Sequence, residues 1–169
     1  MSEVMQVSSV SRHYGSGFSL VKALDKVSIS VKKGEFAALV GPSGSGKTTL
    51  LFLLAGLDYP TSGQVLFHGE RIDQMSQNKL ALMRRNHIGM IFQSHNLIPV
   101  LTVEENIEYL MQLKGIKSKE RKERITKVLK QVDLLSERYR KPTELSGGQQ
   151  QRVAIARALV VNPDIILAD

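Results

Sequence analysis

The chain has no cysteine. That excludes disulfides and thiolate metal sites, and it fits a reducing compartment. Long hydrophobic runs are missing as well. No stretch approaches the roughly 20 apolar residues that a membrane-spanning helix needs. The first residues, Met1-Ser2-Glu3-Val4-Met5-Gln6, contain neither a basic nor an apolar segment, so they do not read as a secretory leader. No internal repeat and no low-complexity tract interrupts the chain. What remains is a globular composition, 42% hydrophobic with a mean hydropathy of -0.11. At 169 residues the expectation is one domain, large enough to bury a real core.

The formal charge is +7. An excess of that sign invites a nucleic-acid or anionic-membrane partner. Much of it lies between Lys114 and Lys141. There Lys117, Lys119, Arg121, Lys122, Arg124, Lys127 and Lys130 alternate with Glu120, Glu123 and an apolar stripe. Such a pattern is usually the solvated face of an amphipathic helix; contact with lipid headgroups or an acidic partner loop is the other reading.

Residues Val27 to Val31 alternate with period two and predict a half-exposed strand. Phe36 to Val40 is a continuous apolar run and predicts a strand buried on both faces. A helix is expected from Thr48 to Leu57, closing near Gly56. Short strands are expected at 64–67, with a turn at His68-Gly69-Glu70, and at 88–92, ending at Gln93. Beyond that point helices dominate. Thr102-Val103-Glu104-Glu105 predicts a capping box opening a helix that ends near Gly115. Ser118 and Ser146 predict the caps of two more helices, the last running from Gly147 to Val160. Ile165 to Ala168 predicts a buried closing strand. The fold class is therefore α/β with an inserted helical part.

The segment Gly41-Pro42-Ser43-Gly44-Ser45-Gly46-Lys47-Thr48 matches G-x-x-x-x-G-K-[ST] in full. It stands between an expected strand and an expected helix, where the mechanism needs it. Its glycines let backbone N–H groups converge on phosphate oxygens, and the helix N-terminus adds its positive dipole end. Lys47 supplies a charge to the β- and γ-phosphates, and Thr48 a hydroxyl to Mg²⁺. A second glycine motif, Leu145-Ser146-Gly147-Gly148-Gln149, opens the last helix. Glycines in a first turn cost helix stability, which makes sense where the backbone must approach something closely. A serine hydroxyl, bare N–H groups and a helix dipole make a second anion site.

With LSGGQ followed by QQRVAIARAL and NPDIILAD, the chain resembles the nucleotide-binding subunits of ATP-binding cassette (ABC) transporters over essentially its whole length. GLDYPTSGQVLFHGERI and MIFQSHNLIPVLTVEENI resemble the bacterial group that serves lipoprotein release and macrolide export. The resemblance implies a P-loop NTPase (RecA-like) core with an N-terminal antiparallel β subdomain. Residues 1–93 and 157–169 would form that core, and 94–156 an inserted helical subdomain, within one domain spanning 1–169. It implies that ATP and Mg²⁺ are bound. Tyr14 would stack on adenine, and Gly41, Ser43, Gly44, Ser45, Gly46, Lys47, Thr48 and Thr49 would hold the phosphates. Gln93 would reach the metal and the attacking water, and Asp169, matching the Walker B aspartate, would hold the metal directly or through water. Ser146, Gly147, Gly148 and Gln149 would close over ATP held by a second, head-to-tail copy. The partners implied are that second subunit and a transmembrane permease subunit, with no nucleic acid. The location implied is cytoplasmic, on the inner face of the cell membrane.

In the family a catalytic glutamate follows the Walker B aspartate, and a histidine further on contacts the γ-phosphate. Asp169 is the last residue, and His13, His68, His87 and His95 all precede it. The chain thus reads as a cassette cut at Walker B, with an incomplete core and slowed turnover. Two other readings stay open on sequence alone: a nucleotide-binding module that does not hydrolyse, and a soluble ABC protein acting on nucleic acid. The compact stretch between Gln93 and Leu145 favours the transporter over the latter.

Overall fold

A computed structural model describes residues 2–169. The chain divides into two compact units, one of residues up to Arg84 together with Asp169, the other Arg85–Ala168. The mixed α/β class and the antiparallel β region are as expected from the sequence.

In the first unit, β1 (Glu3–Tyr14) and β2 (Val21–Lys32) form a long antiparallel hairpin. β3 (Ser62–Phe67) pairs with the other edge of β1, and the short β4 (Glu70–Arg71) follows, giving the order β2-β1-β3-β4. Within β2 the stretch Val27–Val31 alternates as its sequence predicts, half-buried at Val27, Ile29 and Val31. β1 does not alternate throughout. Val7 and Val10 are both buried although three positions apart. The register shifts between them, and Ser9 takes a positive φ of 49°. A bulge lets both valines face the core. Its freed backbone N–H at Ser9 donates to Ser28 Oγ at 2.8 Å, and Lys26 N donates to the buried Ser11 Oγ at 3.0 Å.

α1 (Lys47–Leu54) buries Leu50, Leu51, Leu53 and Leu54. Apolar on nearly every side, it belongs inside a fold. Gly46 precedes it with φ 89°, and a Cβ there would lie 2.3 Å from the carbonyl oxygen of Ala23. Only glycine fits, and this fixes how the loop enters the helix.

The expected strand at Phe36–Val40 is absent. These residues form no ladder, and Phe36 and Val40 are 95% and 93% exposed. A continuous apolar run becomes a strand only where a neighbour pairs with its backbone, and no strand among the described residues does so.

α2 (Gln77–His87) begins in the first unit and ends in the second, and the sequence reading passed over it. In the second unit β5 (Ile88–Ile91) and β6 (Ile165–Ala168) form a parallel pair, Ile88 opposite Ile165 and Ile91 opposite Ala168. α3 (Val103–Leu113), α4 (Ser118–Gln131) and α5 (Gly147–Leu159) enclose a core of Ile107, Met111, Ile125, Leu129, Leu134 and Val153. The capping box at Thr102 and Glu105 is formed. α4 starts differently: its N-cap is Lys117 without a side-chain bond, and Ser118 is already helical. Apolar Ile125, Val128 and Leu129 turn inward, while Arg121 pairs with Glu108 at 2.7 Å and Arg124 with Glu120 at 2.6 Å. The shallow outer face, with Lys122, Glu123, Thr126, Lys127 and Lys130, is the basic face that the pattern predicts.

Candidate functional site

The glycine loop folds onto its own lysine. Lys47, the first residue of α1, donates from Nζ to the carbonyl oxygens of Gly41 at 2.9 Å and Pro42 at 2.8 Å. Gly44 at φ 80° and Gly46 at φ 89° make the turn, closed by Ser45 N to Pro42 O at 3.3 Å. Among the described residues no carboxylate lies within ion-pair distance of Lys47. An ammonium held only by neutral oxygens, the two carbonyls and the Ser45 hydroxyl at 3.5 Å, at a helix N-terminus whose cap has no side chain, favours an incoming anion.

Thr48 Oγ1 donates to Asp169 Oδ1 at 2.7 Å, across 121 positions of sequence. Asp169 is exposed. The pair offers two hard oxygen ligands, the chemistry Mg²⁺ prefers when phosphate and water complete its shell. No group of three His, Asp or Glu side chains among the described residues could hold a metal alone. The donor set therefore fits an ion that arrives with its nucleotide.

Tyr14 ends β1 with its ring 39% exposed. Its hydroxyl donates to Asp58 Oδ2 at 2.9 Å. Arg12 grips the same carboxylate twice, Nε to Oδ2 at 2.8 Å and Nη2 to Oδ1 at 2.9 Å, and lies over the Tyr14 ring at 4.4 Å. Tyr59 N donates to Asp58 Oδ1 at 2.8 Å. Burial alone would raise the Asp58 carboxyl, but the bonds from Tyr59, Tyr14 and Arg12 together hold it below the ordinary range. The sequence reading singled out Tyr14 and missed Arg12 and Asp58. The partners are 46 positions apart, and no periodicity joins them.

Gln93 follows β5, exposed, and its amide makes no hydrogen bond among the described residues. The loop after it is anchored by Arg157 of α5, which donates to His95 O at 2.8 Å and Asn96 O at 2.6 Å. Burial pushes the Arg157 guanidinium down from its ordinary value. This anchor also escaped the sequence reading.

At the second glycine motif, Ser146 Oγ accepts from Gln149 N at 3.3 Å, and Gln149 Oε1 accepts from Ser146 N at 2.8 Å. The serine is thus a structural cap, whatever else it binds. Gly147 and Gly148 are exposed, and a Cβ on either would meet nothing within 4 Å. Of the residues singled out from sequence, Tyr14, Gly41–Thr49 and Asp169 lie in the first unit. Gln93 and Ser146–Gln149 lie in the second.

Glycine loop, helix and carboxylate together define a P-loop nucleotide-binding protein. Residues 24–169 match the ABC transporter family, and the chain belongs to that family. It is 44% identical to the lipoprotein-releasing system ATP-binding protein LolD of Aquifex aeolicus, over 100% of this chain and 74% of that one. It is also 44% identical to the macrolide export ATP-binding/permease protein MacB of Hyphomonas neptunium, over 98% of this chain but only 26% of that protein. Among solved structures, the dimeric post-hydrolysis state of the ATP-binding cassette MJ0796, bound to ADP and Pi, superposes with a TM-score of 0.92. That cassette, from Methanocaldococcus jannaschii, is 43% identical, and the match covers 98% of this chain and 73% of that one. No helix among the described residues is long and apolar enough to cross a membrane.

Proposed function

We propose that this chain binds Mg·ATP and belongs to an ATPase that powers a membrane export system of the lipoprotein-release or macrolide-export type. The observation that carries the reading is the Thr48–Asp169 bond at the start of α1, directly after the glycine loop. It joins the expected metal ligand of the loop to the expected Walker B carboxylate.

The loop's backbone N–H groups and the α1 N-terminus bind the phosphates, and Lys47 leaves its carbonyl partners for the β/γ-oxygens. Thr48 and Asp169 hold the metal. When bound, Mg²⁺ neutralises charge across the β- and γ-phosphates. Tyr14 stacks on the base, and Gln93 orients water. Ser146–Gln149 of a second copy cover the nucleotide, a reading supported by the open space at Gly147 and Gly148, where a Cβ would meet none of the described residues within 4 Å. The dimeric cassette bound to ADP and Pi supports that arrangement. A transmembrane permease subunit, at the inner face of the cell membrane, is the remaining partner.

The test is the affinity for Mg·ATP of the parent and of Lys47→Ala. The variant is expected to bind at least about tenfold more weakly, one lost charge-assisted contact being worth roughly 1.5–3 kcal/mol. Equal affinities would remove Lys47 from the phosphate site and with it the reading.

A further inference from the structure

Tyr14 stands at the end of a strand, where a ring half open to solvent would ordinarily turn freely among its rotamers. Here it cannot. Its hydroxyl is tied to Asp58 Oδ2 at 2.9 Å, and one ring face is covered by the Arg12 guanidinium at 4.4 Å. Asp58 orients both, being itself held by the Tyr59 N–H at 2.8 Å and by the two-pronged Arg12 contact. We propose that Arg12 and Asp58 are positioning residues for nucleotide-base recognition: they hold the Tyr14 ring so that its uncovered face receives the base.

The inference rests on the assignment of Tyr14 as the base-stacking residue and extends it to how the ring is prepared. Two effects act together. A ring already held in place loses less rotamer freedom when the base arrives. A cation against one face also draws electron density from the ring, so the opposite face is better matched to an electron-rich heterocycle. Lysine could not reproduce the arrangement, because the planar fork chelates the carboxylate through two nitrogens while its carbon sits over the ring. Among the described residues neither bonds to the glycine loop, so their contribution is assigned to the base.

The experiment compares Mg·ATP with Mg·tripolyphosphate, a probe that keeps the phosphates and lacks the base, on the intact protein. Arg12→Met is expected to weaken ATP binding about 3- to 30-fold, the span of a cation–π contact. Tripolyphosphate binding should stay within about twofold. Arg12→Lys should recover only part of the loss. Tyr14→Phe keeps the ring and the Arg12–Asp58 pair but removes the hydroxyl anchor, and should lower ATP affinity a fewfold, again without effect on tripolyphosphate. It is the variant least able to disturb folding. Equal loss for both probes, or no loss for ATP, would overturn the proposal. Tyr14→Ala separates the two layers. If it leaves the ratio of the two affinities unchanged, Tyr14 is not the base platform and both readings fall. If it shifts the ratio while Arg12→Met and Tyr14→Phe do not, the platform stands and its positioning by Arg12 and Asp58 is wrong.

Discussion

Asp58 accepts four hydrogen bonds on two oxygens, from Arg12 twice, Tyr14 and Tyr59. All four favour its charged form. Its carboxyl is therefore held below the ordinary range, against the pull of burial. A depressed carboxyl contributes stability that is complete above its unfolded value of about 3.9 and is lost as pH falls through the lower folded value. Asp58→Asn should therefore cost about 1–3 kcal/mol at neutral pH, by loss of charge-assisted bonds. Denaturant titrations from pH 7 downwards should show the gap to the parent closing below about pH 4. A gap that stays constant into strong acid would mean that Asp58 supports the strand end by packing and not by charge. Asn106 shows the same economy in a neutral residue. It is buried and ties down the loop before α3, accepting from Ile98 N at 2.8 Å and donating to the carbonyls of Ile98, Leu101 and Thr102.

At the scale of elements, α5 carries a cost that its own packing does not explain. Gly147 and Gly148 are helical positions without positive φ, and among the described residues nothing lies within 4 Å of where a Cβ would go. Gly148→Ala should therefore stabilise the protein without nucleotide, by up to about 1 kcal/mol. It should weaken ATP-driven pairing of two copies, if a second copy packs on that backbone. Thermal unfolding and sedimentation with and without Mg·ATP read the two effects. A destabilised variant would show that the fold itself needs the glycine. The capping box at Thr102 and the cap at Ser146 were legible in the sequence because their partners lie three positions away. The Val27–Val31 part of β2 was legible because its alternation is unbroken there, and the glycine loop because spacing and residue type coincide. β1 was not, since the bulge at Ser9 breaks the period. Phe36–Val40 misled because a buried strand depends on neighbours that a local pattern does not contain. The apolar run at Leu97–Leu101 divides: Leu97 packs on the helical core, while Val100 is exposed. Arg12, Asp58 and Arg157 act through contacts made 44 to 62 positions away, where residue type alone gives no signal.

At the scale of the whole molecule, the open question is whether the loop and the LSGGQ motif of one copy serve the same nucleotide or different ones. The two motifs fall in different units of the chain, and among the described residues nothing lies within 4 Å of a Cβ built on the glycines of the second. In a head-to-tail pair with twofold symmetry, each nucleotide would lie between the loop of one copy and the motif of the other. This makes a sharp prediction for mixtures. Lys47→Ala spoils a loop, and Gly148→Asp spoils a motif by placing a carboxylate against the phosphates. Either variant alone then has both sites of its dimer defective. Mixed in equal amounts, half of the dimers contain one copy of each. In those, one site has both defects and the other has an intact loop facing an intact motif. The mixture should therefore recover about a quarter of the parent's ATP turnover per site, if the sites act independently. If both motifs of one copy served the same nucleotide, no intact site would form, and the mixture would stay as inactive as its components. A turnover assay on the two variants of the intact protein, separately and together, distinguishes the two arrangements.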